Sequence, residues 1–134
     1  MDAVNEAIIC ERVSKMTGLT IERTDDMHPV DFILRSEHGI ECVVELKSRN
    51  IKSTDYNTIY LSKAKREAVE KFAWDNDTDP FFLVWFKGDD VLKSIALGIT
   101  RDFGEPEMKG RFDRGDKTDV EPMYLVNISS MKTL

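Results

Sequence analysis

The residues with the most unusual chemistry lie in one hairpin-like stretch, residues 28 to 50, HPVDFILRSEHGIECVVELKSRN. Its two apolar, strand-like runs are interrupted by Asp31, Glu45 and Lys47. Two carboxylates could ligate Mg²⁺, a hard cation that is usually held by one or two protein carboxylates while it keeps waters for phosphate oxygens. Glu45 and Lys47 share one strand face, so the ammonium could orient a water or neutralise charge that develops on a phosphate.

Whether Asp31 joins that face depends on how the hairpin turns. Gly39 suits the left-handed position that closes a three-residue loop, and this loop pairs Ser36 with Ile40 and therefore Asp31 with Glu45. A two-residue turn would put Asp31 on the opposite face. We predict the three-residue loop. The two opposed carboxylates would then repel each other unless a cation lies between them.

The elements that must position these residues follow from periodicity and turn signals. We predict helices over residues 2 to 17 and about 58 to 75. We predict strands over residues 19 to 23, 30 to 36, 40 to 48, 81 to 88, 91 to 100 and about 122 to 129. Residues 101 to 121 contain three Gly and one Pro and are predicted as a long loop. An α/β architecture, with a mixed sheet flanked by helices, accommodates this order.

Each predicted helix carries a charged residue on its apolar stripe. Glu6 is in phase with Ile9 and Val13, and Lys65 is in phase with Phe72, so both are predicted to point inward. One shared polar site would explain Glu6, Lys65 and the three hairpin residues together. In the alternative interpretation these charges form salt bridges in a purely structural domain.

Composition limits the class of protein. The chain has 134 residues, 41% hydrophobic and 33% charged, which predicts one globular domain over residues 1 to 134. No apolar run reaches membrane-spanning length and no basic leader is present, so we expect a cytoplasmic protein without membrane contact. The net charge of −6 argues against a general polyanion binder. Residues 47 to 71 nevertheless carry a local excess of bases.

This arrangement resembles the PD-(D/E)XK nuclease superfamily, and within it the small archaeal-type Holliday junction resolvases and related phage or plasmid nucleases. The pattern is a helix with a glutamate, a hairpin with Asp and then Glu-x-Lys, and a helix with Gln or Lys. It is matched by Glu6 in NEAIICERVSKMTG, Asp31 in HPVDFIL, Glu45 and Lys47 in VVELKS, and Lys65 in IYLSKAKREAVEKFA. The match covers residues 1 to about 87.

The resemblance implies a restriction-endonuclease-like αβββαβ core over about residues 1 to 100, followed by the long loop and an extra C-terminal strand. It also implies DNA endonuclease activity that depends on Mg²⁺ or Mn²⁺, with branched DNA as one substrate class. Asp31, Glu45 and the backbone carbonyl of Leu46 would hold the metal, and Glu6 would act through a water or a second ion. Lys47 would position or help deprotonate the attacking water, and Lys65 would contact a phosphate.

The expected partner is duplex or branched DNA, in a prokaryotic cell or a phage-infected host. The residues expected to contact DNA are basic: Arg49, Lys52, Lys65, Lys71, Arg111 and Arg114. Cleavage of both strands would need two sites, so a homodimer is expected. The alternative, favoured by the acidic net charge, is a non-catalytic nucleic-acid- or protein-binding module on the same fold.

Overall fold

The computed structural model describes residues 3–24, 30–98, 101–110 and 120–134, with the side chains of the first helix described from Glu6 onwards. The elements in these ranges, in chain order, are α1 (Ala3–Thr17), β1 (Thr20–Arg23), β2 (Phe32–Ser36), β3 (Gly39–Arg49), β4 (Thr58–Ser62), α2 (Lys63–Asp75), β5 (Asp79–Phe86), β6 (Val91–Ala96), β7 (Glu107–Gly110), β8 (Val120–Asn127) and β9 (Lys132–Thr133). A 3-10 turn, Ile128–Ser130, separates the last two strands.

The strands form two sheets. The central sheet has six strands in the order β1-β2-β3-β5-β6-β9, and the small sheet has three in the order β4-β8-β7. Within the central sheet β3 and β5 are parallel, and the other neighbours are antiparallel. A parallel pair needs a crossover connection, which β4 and α2 supply here. The central sheet is therefore mixed, as predicted.

Each face of the central sheet has its own apolar core. On one face α1 packs Ile9 and Val13 against β2, β3, β5 and β6. On the other face Val69 and Ala73 of α2 pack together with the small sheet. Because side chains alternate along a strand, Val44 and Leu46 face α1, whereas Glu45 and Lys47 face α2 and the small sheet. The second helix and the small sheet thus cover the face that carries the unusual charges.

The hairpin turn differs from the predicted loop. Ser36 pairs with Gly39 rather than Ile40, so the turn contains two residues, and Gly39 adopts φ 114°. The register then shifts by one residue, because Glu41 has no partner and forms a β-bulge in β3. A two-residue turn without a bulge would have placed Asp31 on the face opposite Glu45. The bulge restores the predicted register from Leu34 to Asp31.

The second helix begins later than predicted. Residues 58–62 form β4, and α2 begins at Lys63, with the Ser62 hydroxyl accepting a hydrogen bond from the Lys65 N–H at 3.3 Å as an N-cap. The predicted helical phase is also wrong. The buried residues of α2 are Arg66, Val69, Glu70 and Ala73, an i, i+3, i+4, i+7 set that excludes Lys65.

Part of the predicted loop 101–121, together with the predicted C-terminal strand, belongs to the small sheet, and residues 111–119 lie outside the described residues. Residues 107–110 form β7, which pairs with β8, and β8 pairs in turn with β4. The extra C-terminal strand is therefore real, but its main part does not extend the central sheet. No helix within the described ranges combines the length and apolarity that a membrane crossing requires.

An ionic network that was not predicted connects α2 to Gly98, Arg101 and Phe103. The Arg66 guanidinium donates to the carbonyls of Gly98 (3.1 Å) and Arg101 (2.6 Å) and to Glu70 Oε2 (3.3 Å). Glu70 Oε2 also accepts from the Gly98 N–H at 2.7 Å. The guanidinium also contacts the rings of Phe103 and of β8 residue Tyr124, with its Cζ 4.9 and 4.8 Å from the ring centroids. The two charges are buried but fully engaged, so they stabilise the chain segment that leads into β7.

Candidate active site

Two carboxylates oppose each other at the start of β2. Phe32 pairs with Val44, so the preceding residue, Asp31, lies opposite Glu45. Asp31 Oδ2 accepts a hydrogen bond from the Leu46 N–H at 2.7 Å, which fixes this side chain against β3. The predicted juxtaposition of the two acids is therefore present.

Glu45 is a deeply buried acid, with 5% of its surface exposed. Burial raises the pKa of its carboxyl to about 8, and the negative charge of Asp31 acts in the same direction. Lys65 partly opposes this shift. The carboxylate of Glu45 is thus destabilised at neutral pH by burial and by a neighbouring acid, and a bound cation would relieve this.

Lys47 lies on the same face as Glu45. Its Nζ donates to the carbonyl oxygen of Tyr60 in β4 at 2.9 Å, so the small sheet holds the ammonium in place. Burial, together with the positive charges of Arg49 and Lys65, lowers the pKa of Lys47 to about 8. Glu45 and Glu121 oppose that shift. Lys47 is therefore fixed in position and loses its proton more easily than a surface lysine.

Lys65 reaches the same place from the first turn of α2. Its Nζ lies 3.6 Å from Glu45 Oε1, while 66% of its side chain remains exposed. Lys65 thus lies on the exposed side of α2. It reaches the site because it is in the first turn of the helix, which begins directly after β4. Lys65 therefore lies at the site that was predicted for it, but it is not on the buried face of α2, on which that prediction rested.

The structure does not bring Glu6 into this cluster. Its helix packs on the other face of the central sheet, and Glu6 Oε2 pairs with the guanidinium of Arg23 in β1 at 3.1 Å. Four of the five predicted residues therefore meet, and the predicted role of Glu6 stays a prediction.

A cavity of about 100 Å³ opens between the two sheets at this point. It is lined by residues of β3, β4, α2, β5 and β8: Glu45, Leu46, Lys47, Tyr60, Leu61, Ser62, Lys65, Phe82, Glu121 and Met123. Sequence reasoning missed Tyr60 and Glu121. The Nζ of Lys109, in β7, lies over the Tyr60 ring, 5.7 Å from its centroid. In the register of the small sheet Lys109 is the β7 residue opposite Glu121 of β8. No local pattern marked these residues, because only the pairing of β4 with β8 brings them to the site.

The donor set fits a hard divalent cation. Within the described ranges no group of three or more His, Cys, Asp or Glu side chains is arranged to hold a metal. Two opposed carboxylates are nevertheless enough for Mg²⁺, which completes its shell with waters and substrate oxygens. Asp31 and Glu45 are therefore the side chains that would hold it, and the carbonyl of Leu46 stays a predicted third ligand.

The residues predicted to contact DNA lie in different surroundings. Arg49 is partly buried at the end of β3, on the same face as Lys47, and Lys52 is exposed in the loop that follows. Lys71 is exposed on α2, where Asp75 Oδ2 holds its Nζ at 2.8 Å. Arg111 and Arg114 lie outside the described residues.

The mixed sheet, the opposed acids and the adjacent lysine are together the features of a restriction-endonuclease-like nuclease. The family model described as "Phage putative PDDEXK endonuclease" matches residues 1–134, so the chain belongs to this endonuclease family. The predicted superfamily and fold class are confirmed. The nuclease prediction is confirmed at the level of the family.

Solved structures support the same fold. Hjc, a Holliday junction resolvase from the archaeon Archaeoglobus fulgidus, has a TM-score of 0.61 and 13% identity over 93% of this chain and 82% of its own. D212, a nuclease from a fusselovirus, has a TM-score of 0.52 and 16% identity over 98% of this chain and 82% of its own. None of the curated proteins compared matches the chain.

Proposed function

We propose that this protein is a DNA endonuclease that hydrolyses phosphodiester bonds with Mg²⁺, or Mn²⁺ in its place. One observation carries the proposal: Asp31 lies opposite Glu45, and Glu45 lines a cavity together with Lys47 and Lys65. Acids and lysines so placed suit a reaction in which charge develops on phosphate oxygens.

The two acids would hold the cation together with the Leu46 carbonyl. When bound, the cation polarises the phosphate and stabilises the attacking and leaving oxygens of an in-line displacement. The Leu46 N–H keeps Asp31 oriented toward Glu45, so the pair is organised before substrate arrives.

The lysines would act on the water and the phosphate. Lys47, anchored by the Tyr60 carbonyl, would orient the attacking water, and its neutral amine form, made accessible by the lowered pKa, would take up the proton of that water. Lys65, with most of its side chain in solvent, would release Glu45 and contact a phosphate of the bound strand. Glu6 would act through a water or a second ion only if it left Arg23.

For the substrate we propose DNA that is branched or interrupted, cut by a homodimer in the cytoplasm of a prokaryotic cell or a phage-infected host. The net charge of −6 disfavours indiscriminate binding to duplex. The local bases Arg49, Lys52 and Lys71 would track the backbone, as would Arg111 and Arg114. The structural similarity to Hjc, named as a Holliday junction resolvase, supports testing branched substrates first.

The test is cleavage of plasmid, linear duplex, four-way junction and single-stranded DNA in Mg²⁺ and in Mn²⁺. The wild type should cut at least one substrate, and Glu45→Gln should lose that activity. Glu67→Gln is the matched control, because Glu67 is exposed on α2 and pairs only weakly with Lys63 at 3.8 Å. Binding without metal-dependent cleavage of any substrate would overturn the proposal in favour of a binding module.

A further inference from the structure

We propose that the loop formed by residues 50–57 binds an unpaired nucleotide of the DNA through Tyr56. This inference rests on the proposed function and refines it, because it names the feature of the DNA that is recognised. Tyr56 is 62% exposed, more than any other large hydrophobic or aromatic side chain in the described ranges. An exposed aromatic ring is a surface on which a base can stack, and such stacking does not depend on sequence.

Hydrogen bonds from the turn between β5 and β6 fix the position of the loop. The Gly88 N–H donates to the Ile51 carbonyl at 3.0 Å. A Cβ at Gly88 would lie 2.7 Å from the Ile51 carbonyl carbon, so only glycine permits this approach. The Asp89 carboxylate accepts hydrogen bonds from the Ser53 N–H (3.0 Å) and the Ser53 hydroxyl (2.6 Å).

The loop is also closed from within. Asp55 Oδ2 accepts from the Lys52 N–H at 2.8 Å, and the Asp55 N–H donates to the Lys52 carbonyl at 3.1 Å. Ile51 packs against the apolar core beneath it. Tyr56 thus follows a segment whose backbone is already ordered. Binding a base there would cost less conformational entropy than binding to a flexible loop.

The position of the loop suits a strand that passes through the active site. It follows β3, and Arg49 lies on the same face as Glu45 and Lys47. At about 3.3 Å per residue, Arg49 is about 13 Å from Glu45. Measured along the axis of a DNA duplex, that distance spans about four phosphates of one strand, at about 3.4 Å of axis for each phosphate. Arg49 and Lys52 would bind the intervening phosphates, and Tyr56 would stack on the base beyond them.

This arrangement discriminates between DNA structures. A base within an intact duplex is already stacked on its neighbours, and exposing it costs a few kcal/mol. An unpaired base at a flap, a junction or a strand end is free of most of that cost. Tyr56 should therefore favour DNA with unpaired nucleotides near the cut and add little to binding of intact duplex.

The experiment measures equilibrium binding with every variant placed in the Glu45→Gln chain, so that no DNA is cut. The probes are an intact duplex and the same duplex with a short single-stranded flap that carries 2-aminopurine. Tyr56→Ala should weaken flap binding about tenfold or more, and duplex binding less than about twofold. Tyr56→Phe keeps the ring and should retain flap binding. Asp89→Ala removes the hydrogen bonds that fix Ser53 in the loop, so this variant should lose part of its affinity for the flap probe.

The matched control is Trp74→Ala, since Trp74 is another exposed aromatic residue, at 53%, near the end of α2 and outside the cavity. It should bind both probes as the parent does. Equal losses on flap and duplex for Tyr56→Ala, no loss on either, or a loss for Trp74→Ala that matches it would overturn the inference. The nuclease proposal is tested separately, by the cleavage assay with the wild-type protein. If the wild type cuts no DNA, that proposal fails whatever the binding experiment shows.

Discussion

Asp31 and Glu45 lie opposite each other across β2 and β3 although the turn that joins the strands is one residue shorter than this register needs. The bulge at Glu41 supplies the missing residue. A bulge leaves one residue without a ladder partner and weakens local pairing. Here it places the two acids on one face, beside Lys47.

The first prediction concerns Asp31→Asn. The amide oxygen can still accept from the Leu46 N–H, so the local structure should persist, while the repulsion with Glu45 disappears. We expect the metal-free protein to unfold at no lower urea concentration than the wild type. Calorimetric titration with Mn²⁺ should show affinity reduced at least about 100-fold. Unchanged Mn²⁺ affinity would remove Asp31 from the metal site.

The second prediction follows from the raised pKa of Glu45, about 8 in the folded protein against an ordinary value of 4.5. Folding favours the protonated acid, so Glu45 stabilises the metal-free fold at low pH and this contribution is lost as pH rises toward about 8. A metal needs the carboxylate, so its affinity should rise over the same interval.

Two measurements check this pH dependence. Titration with Mn²⁺ at pH 7 in buffers of different ionisation enthalpy should reveal release of a proton. Urea unfolding of the metal-free protein from pH 5 to 8 should show stability that decreases with pH. In Glu45→Gln both effects should largely disappear, and their persistence would assign them to another group.

The third prediction separates catalysis from binding at Lys47. Lys47→Met removes an ammonium whose burial is unfavourable, as the lowered pKa shows, so the fold should be retained. Loss of proton transfer and water orientation should reduce cleavage about 10²–10⁴-fold. DNA affinity, measured by anisotropy, should change less than about threefold. A parallel loss of binding and cleavage would instead make Lys47 a phosphate contact.

The fourth prediction concerns the buried pair of Arg66 and Glu70. Arg66→Met removes the cation beside the buried Glu70 carboxylate, which keeps the hydrogen bond from the Gly98 N–H. The free energy of unfolding should fall by about 3–5 kcal/mol. Replacing Glu70 by Leu as well should recover part of that loss. Lys63→Ala, which removes an exposed i, i+4 pair, should cost less than about 0.5 kcal/mol in the same urea experiment.

The charges of the central hairpin could be predicted from the sequence because strand alternation is local. Glu45 and Lys47 are two residues apart and must share a face in any strand. The face on which Asp31 lies depends on the register of the hairpin. The predicted register was correct, but the predicted three-residue loop was not, because a two-residue turn and a bulge together produce the same register. The place of Lys65 at the shared polar site was likewise predicted from an incorrect helical phase.

The sequence by itself determined which side chains could do chemistry and which strands could carry them, since residue type and short-range periodicity are properties of the chain. Tertiary structure alone decided the rest. Residues 58–62 became a strand because β8, more than 60 residues later, pairs with them. That pairing brings Tyr60 and Glu121 to the cavity, while packing of α1 on the opposite face keeps Glu6 with Arg23. Long-range pairing and the choice of sheet face depend on contacts that no local window of sequence contains.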